Sequence, residues 1–174
     1  VTKDAPLIGI EPSAILGFRD EYPNLVDPSL KSVAENLAHN VFIIEEFLAN
    51  ELASNHIAIS NFTSKTETIY YHGHCHQKAL SSNSFAITIL GMPLNFKVSA
   101  IDSGCCGMAG SFGYEKEHYD LSQQIGEDRL FPALRAMKSN AILAASGTSC
   151  RHQIKDGVNK TALHPVEVLY NALN

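Results

Sequence analysis

Cysteine is scarce in this chain, with four in 174 residues, too few for a disulfide scaffold. Two of them, Cys105 and Cys106, are neighbours. Adjacent Cα atoms lie about 3.8 Å apart, short of the roughly 4.4–6.8 Å that a disulfide spans. The thiols are therefore expected to stay reduced, which points to a cytoplasmic setting and to metal or redox chemistry. Positive charge is scarce too. Thirteen Lys and Arg against eighteen Asp and Glu leave a net charge of −5. Nucleic-acid binding needs a basic face, and none is present. No apolar run approaches the about 20 residues of a membrane helix. No charged segment leads into an apolar core as in a signal peptide. No basic amphipathic stretch marks a membrane-surface helix, so any peripheral membrane attachment is expected to come through partners.

What is present reads as alternating strands and helices. Hydrophobic residues make up 45 % of the chain, enough for one domain with a real core. Leu7-Ile8-Gly9-Ile10 reads as a strand running into a turn at Glu11-Pro12-Ser13. Asp27-Pro28 reads as a helix start. Val33, Leu37, Val41, Ile44 and Leu48 then recur at helical spacing, predicting one helix over 29–50. The Ser/Thr-rich stretch 60–67 reads as a surface loop or hairpin. Thr68–Tyr71 is a predicted strand, ending in His72-Gly73-His74-Cys75-His76, which opens a helix to about Leu90, where Gly91 and Pro93 stop it. Phe96–Ile101 and Ala141–Ala144 are further strands. Between them a short helix is expected after Gly110 and a longer one over 119–137. Ala162-Leu163 reads as a short fourth strand, and Pro165 opens a terminal helix. This order predicts an α/β fold, a mostly parallel sheet flanked by helices, with cysteine motifs at the C-terminal ends of strands. Open sheets of this kind build their sites at that edge.

A faint repeat runs through the chain. Ile8–Asp20 (IGIEPSAILGFRD) resembles Leu143–Asp156 (LAASGTSCRHQIKD), with Ala14 opposite Cys150, and Glu46-Phe47-Leu48 resembles Glu167-Val168-Leu169. Residues 1–60 then read as the tail of one domain copy and 61–174 as a complete second copy, packed as one globular unit.

The chemistry lies in the cysteines, spaced Cys75-x29-Cys105-Cys106-x43-Cys150. Side chains of adjacent residues on a regular strand point to opposite faces. Cys105 and Cys106 can face one centre only through a sharp turn, which the flanking Gly104 and Gly107 permit. Soft thiolates select zinc or iron–sulfur clusters. The paired C-x2-C spacing usual for zinc is missing, and so is the C-x2-C-x2-C run of bacterial ferredoxins. Vicinal cysteines suit a multi-iron cluster, whose irons offer separate positions, while zinc stays open as the alternative. His72, His74 and His76 surround Cys75, and His152 follows Cys150. His74, His76 and His152 are candidates for the shell around the thiolates, donating N–H bonds that tune sulfur, with ligation by an imidazole the lesser alternative. A Cys–His hydrolase is disfavoured, since no nucleophile elbow such as Gly-x-Ser-x-Gly is present. The glycines of 104–113 do not form a dinucleotide fingerprint.

The segments His74-Cys75-His76, Gly104-Cys105-Cys106-Gly107 and Ser149-Cys150 resemble the cysteine-rich CCG domain. That family includes the cysteine-rich component of heterodisulfide reductase and the iron–sulfur subunits of glycolate oxidase and anaerobic glycerol-3-phosphate dehydrogenase. CCGMAGSFGYEKEHYDLS, EPSAILGFRDEYPNL, GTSCRHQI and HPVEVL look closest to the C-terminal part of fused FAD-linked oxidases. The resemblance implies a [4Fe–4S] cluster held by Cys75, Cys105, Cys106 and Cys150, passing electrons from the flavin of a 2-hydroxy-acid dehydrogenase to an acceptor. The substrate would be of the lactate, glycolate or 2-hydroxyglutarate type. The implied partners are flavin-binding and ferredoxin-like domains or subunits of the same oxidoreductase, and FAD would bind there. This chain alone is not expected to turn over a substrate. Two positions depart from the family pattern. Gly147 stands where the last motif often has its first cysteine, and Ala14 where a first copy often has one. The runner-up expectation is a zinc-stabilised structural or docking module without redox activity.

Overall fold

The computed structural model describes residues 1–174. The chain opens with strand β1 (Leu7–Gly9) and three short helices, α1 (Pro12–Ile15), α2 (Gly17–Asp20) and α3 (Tyr22–Leu25). Helix α4 (Lys31–His39), strand β2 (Val41–Ile43) and helix α5 (Ile44–Ala53) complete this part. Then come β3 (Glu67–His72), α6 (Cys75–Leu80), α7 (Asn83–Leu90) and β4 (Phe96–Ala100). The chain ends with α8 (Tyr119–Asp128), α9 (Leu130–Arg135), β5 (Ile142–Ala145), α10 (Thr148–Val158) and α11 (Pro165–Asn171).

The fold is α/β, and every pairing between these strands is parallel. β1 pairs with β2 in one sheet, and β3 lies between β4 and β5 in the other. Ala162-Leu163 adds a bridge rather than a full strand, Leu163 pairing in parallel with Ala144. The three-stranded sheet is covered on both faces, as parallel sheets require. Strand alternation sorts its side chains. Ile69, Tyr71 and Ala144 pack with Ala86 and Leu90 of α7 and Val168 of α11. Leu143 and Ala145 join Leu130, Phe131, Leu134 and Ile154 on the other face, together with Cys106 and Cys150.

Four local expectations need correction. The predicted helix over 29–50 is interrupted: α4 stops at His39 and Val41–Ile43 form a strand. Val41, Phe42 and Ile43 are β-formers, and pairing with Leu7–Gly9 outweighs the helical spacing they happen to continue. The single helix ending at Leu90 is two, because Ser82 accepts a hydrogen bond from Ser84 N and caps a fresh start. The helix over 119–137 breaks at Arg129, ahead of Pro132, whose ring nitrogen cannot donate to the preceding turn. The turn at Glu11-Pro12-Ser13 passes directly into α1, with proline in its first turn. Of the two expectations for 60–67, the loop is what forms, entered through a 3-10 turn at Ile59–Asn61.

The Arg129 break turns Phe131 inward between α8 and α10. Its ring abuts both Gly126 and Gly157, and a Cβ at Gly126 would lie 2.5 Å from its Cζ. Alanine at 126 would gain about 1 kcal/mol of helix propensity. Overpacking a buried ring costs about 1–3 kcal/mol, and Phe131 is 1 % exposed, so it has no room to yield. Gly126→Ala is therefore expected to lower stability in urea, by up to about 2 kcal/mol. A stabilised variant would show that this contact is loose.

Candidate metal centre

Each cysteine motif follows the C-terminal end of a strand, and the shared direction of β3, β4 and β5 brings these ends together. Cys75 opens α6 shortly after β3 ends, directly following His74, whose Nδ1 accepts from His76 N. Cys105 and Cys106 sit in the loop after β4. There Gly107 has φ +100° and the Gly107 N–H donates to Cys105 Sγ at 3.3 Å. A side chain at Gly107 would meet the Ser122 carbonyl, so glycine is needed for both its conformation and its close approach. Cys150 lies in the first turn of α10.

All four thiols line one cavity of about 390 Å³, together with Ser13, His74, His76, Ala109 and Gly110. Cys106 and Cys150 are buried, Cys105 is partly buried, and Cys75 is exposed at the mouth. Cys106, Cys150 and His72 present ligand atoms all within 4.8 Å of one another, a trio that could hold a metal ion.

The thiols divide into donors and acceptors. Hydrogen bonds from Cys106 and then Cys75 pull Cys105 far below the ordinary thiol range, helped by the backbone N–H groups of Gly107 and Ala109. Its partners move the other way. Cys75 is pushed up by its bond to Cys105 and by burial, and Cys106 by its bonds to Cys105 and Cys150. Cys150 is pulled down by Cys106 and by the His72 imidazole, against its own burial. Thiolate character on Cys105 and Cys150 is what a soft cation would meet first.

The surroundings fix this arrangement. Lys78 Nζ donates to the carbonyls of Ser103 (3.0 Å) and Gly104 (3.3 Å), pinning the entry to the Cys105-Cys106 turn. A buried chain runs beside the cavity: Tyr71 Oη donates to Gln77 Oε1 at 2.5 Å and meets Ser146 Oγ at 3.0 Å, and Ser146 Oγ donates to Glu45 Oε1. From the first sheet, the Glu11 carboxylate accepts from Thr148 N at 2.8 Å, at the N-terminus of α10. Burial pushes the Glu11 carboxyl up, but its bonds to Thr148 and Ser13 and the nearby His74 bring it below the usual carboxylate range. His164 Nε2 donates to the Ile10 carbonyl at 3.0 Å, tying α11 to the same segment.

The nominated histidines separate. His74 and His76 line the cavity, their rings 5.9 Å apart. His152 does not line it; its Nδ1 bonds Tyr114 Oη at 2.6 Å on the outer side of α10. The histidine grouped with Cys75 in the sequence but not nominated for the shell is His72. It is fully buried beside Cys106 and Cys150, and its Nε2 has no hydrogen-bond partner. Strand parity carried that signal: His72 shares the face of Tyr70, which packs against the cluster containing both cysteines. Gly147 also has a reason. A side chain there would strike the His74 ring and lie 3.3 Å from Cys150 Sγ, so the imidazole fills the space. Ala14 is exposed on α1, and it is Ser13 that faces the cavity. A buried imidazole nitrogen without a partner, close to two of the thiols that line the cavity, fits a metal centre with sulfur donors, as does the thiolate character of Cys105 and Cys150.

No protein-family model and no solved structure matches the chain. Curated relatives do. A D-2-hydroxyglutarate dehydrogenase of Escherichia coli K12 is 32 % identical over 165 residues, 94 % of this chain and 15 % of that protein. That of Haemophilus influenzae is 28 % identical over 173 residues, 97 % of this chain and 16 % of that protein. One of the subunits of the E. coli K12 anaerobic glycerol-3-phosphate dehydrogenase is 25 % identical over 172 residues, 98 % of this chain and 41 % of that polypeptide. The chain thus spans less than half the length of each. No helix is long and apolar enough to cross a membrane.

The exposure pattern sets an expected order of labelling. In the metal-free folded chain, Cys105, partly exposed and drawn toward thiolate, should react first with a thiol reagent, the exposed but protonated Cys75 more slowly, and Cys106 and Cys150 only on unfolding. Peptide mapping of the labelled sites checks this, and early labelling of Cys150 would contradict the buried cavity floor.

Proposed function

We propose that this chain is the iron–sulfur electron-transfer domain of a larger FAD-linked oxidoreductase, with Cys75, Cys105, Cys106 and Cys150 as the ligands of one [4Fe–4S] cluster. The observation that carries this reading is the meeting of all four cysteines, from three strand ends, in one cavity. Cys105 and Cys106 are held by the glycine turn so that neighbouring residues reach different corners of the same space. When bound, such a cluster supplies a one-electron relay. The chain's own residues do the rest: α6 and α10 present Cys75 and Cys150, Lys78 holds the turn, and the apolar floor of Leu130, Leu143 and Ile154 excludes water from the inner side. Cys75, at the mouth, marks the side from which an electron donor or acceptor approaches. The relatives are dehydrogenases, two of them named for 2-hydroxyglutarate, which supports a 2-hydroxy acid as substrate of the parent enzyme. FAD, the substrate pocket and ferredoxin-like domains belong to its other parts, in a cytoplasmic enzyme.

The two-copy organisation gains support as well. The parallel pair β1–β2 followed by α5 is matched by the pairing of β5 with Leu163 followed by α11. We read 1–60 as the tail of a first copy and 61–174 as the second.

A second reading has its own observation. The buried trio of His72, Cys106 and Cys150 is a donor set that zinc accepts, in which case the chain is a structural or docking module.

Cys106→Ser separates the two in the full-length enzyme. Serine keeps the shape and removes the soft donor. Electron transfer to the acceptor is expected to be lost, with reduction of the flavin by substrate retained. Acceptor reduction at the wild-type rate would favour the zinc module. Loss of flavin reduction would place part of the substrate pocket in this chain.

A further inference from the structure

His72 ends β3 and is 0 % exposed. Its Nδ1 lies 2.7 Å from Ser103 Oγ. The serine hydroxyl has one proton to give, and its other neighbour, the Ile101 carbonyl, lies 3.5 Å away, at the outer limit of a hydrogen bond. The proton therefore goes to Nδ1, and the ring carries its own proton on Nε2. That N–H has no partner, although buried donors are almost always paired. It sits in the trio whose other members are the Cys106 and Cys150 sulfurs. A lone pair on Nε2 would make His72 a metal ligand; a proton there makes it a donor to sulfur.

We infer that His72 is a positioning residue of the metal centre, donating its Nε2–H to the ligand sulfur of Cys150, with Ser103 fixing the donor tautomer. The inference rests on the iron–sulfur reading and adds a role for a residue outside the cysteine set. A hydrogen bond to a ligand sulfur withdraws electron density from it and favours the reduced state, so His72 raises the reduction potential. The same bond explains why the histidine stands at the strand end and not on the following helix. There the strand pleat turns it toward the two buried cysteines, Cys106 and Cys150, while His74 is committed to capping α6.

The test uses the chain reconstituted anaerobically with iron and sulfide. Visible charge-transfer absorption of the wild type establishes loading before any variant is compared. In His72→Phe the ring volume is kept and the donor removed. With cluster content retained, the midpoint potential from a titration followed by electron paramagnetic resonance is expected to fall. The expected change is about tenfold in the ratio of oxidised to reduced forms, equivalent to about 59 mV for one electron. Ser103→Ala keeps the ring and frees the tautomer, and should shift the potential the same way by less; it carries the test if His72→Phe does not fold. An unchanged potential in a loaded variant, or nitrogen hyperfine coupling of an imidazole bound directly to iron, would overturn the inference. If the wild type takes up only zinc, the iron–sulfur reading fails on its own. The His72 assignment is then decided by 15N NMR of the zinc-loaded chain, where a protonated Nε2 upholds the donor role and a metal-bound Nε2 overturns it.

Discussion

The parallel ladder of β3 with β4 and β5 is the constraint on which the rest of the structure depends. Parallel strands in register end on the same edge, and here each ends in a cysteine motif. Tyr71 pairs with Ala100 on one side and Ala144 on the other. Slippage of β5 by one residue would send its side chains to opposite faces and move the whole of α10, with Cys150, relative to Cys106. The apolar packing of Leu143, Ala145 and Ile154 fixes that register, so the core and the thiol cavity are set by the same contacts.

Around this edge, polar groups are managed by pairing. Tyr71, Gln77, Ser146 and Glu45 form a buried chain that joins α5 to β3, α6 and the end of β5. Desolvation and the nearby Glu45 and Cys150 raise the Tyr71 phenol well above its ordinary value, which keeps it a neutral donor. Glu11 caps α10 from a distant part of the sequence, where a carboxylate also complements the positive end of the helix. Together with His164 on Ile10, these bonds hold the segment from Ile10 to Ser13 against the site, where Ser13 lines the cavity. Among the buried polar atoms left without a partner, the His72 Nε2–H is the one that stands with the two buried cysteines.

Much of this was legible in the sequence. Alternating β-formers and helical spacings pointed to the α/β class, and the cysteines fell where strands were expected to stop. The glycines flanking Cys105-Cys106 announced the turn, and Gly107 does adopt positive φ. The misreadings arose where periodicity was ambiguous. Val41, Phe42 and Ile43 fit a helical stripe until a partner strand 34 residues earlier is considered, Leu7 against Val41. Helix breaks at Ser82 and Arg129 depend on local capping and on where Phe131 can pack, which spacing alone does not encode. His72 is ambiguous for a related reason: chain proximity groups it with Cys75, whereas its place on the strand sets its neighbours. Pleat parity assigns it to Cys106 and Cys150, which lie 34 and 78 residues further along the chain.

The central claim is that four cysteines from three strand ends make one centre, and its stoichiometry is directly measurable. Native mass spectrometry of the anaerobically reconstituted chain reads the bound inorganic mass without reference to any activity. The account predicts one dominant species carrying the mass of a single [4Fe–4S] cluster, lost when Cys106 is replaced by serine. A species holding one zinc ion and no sulfide, unchanged by loss of Cys75, would contradict it.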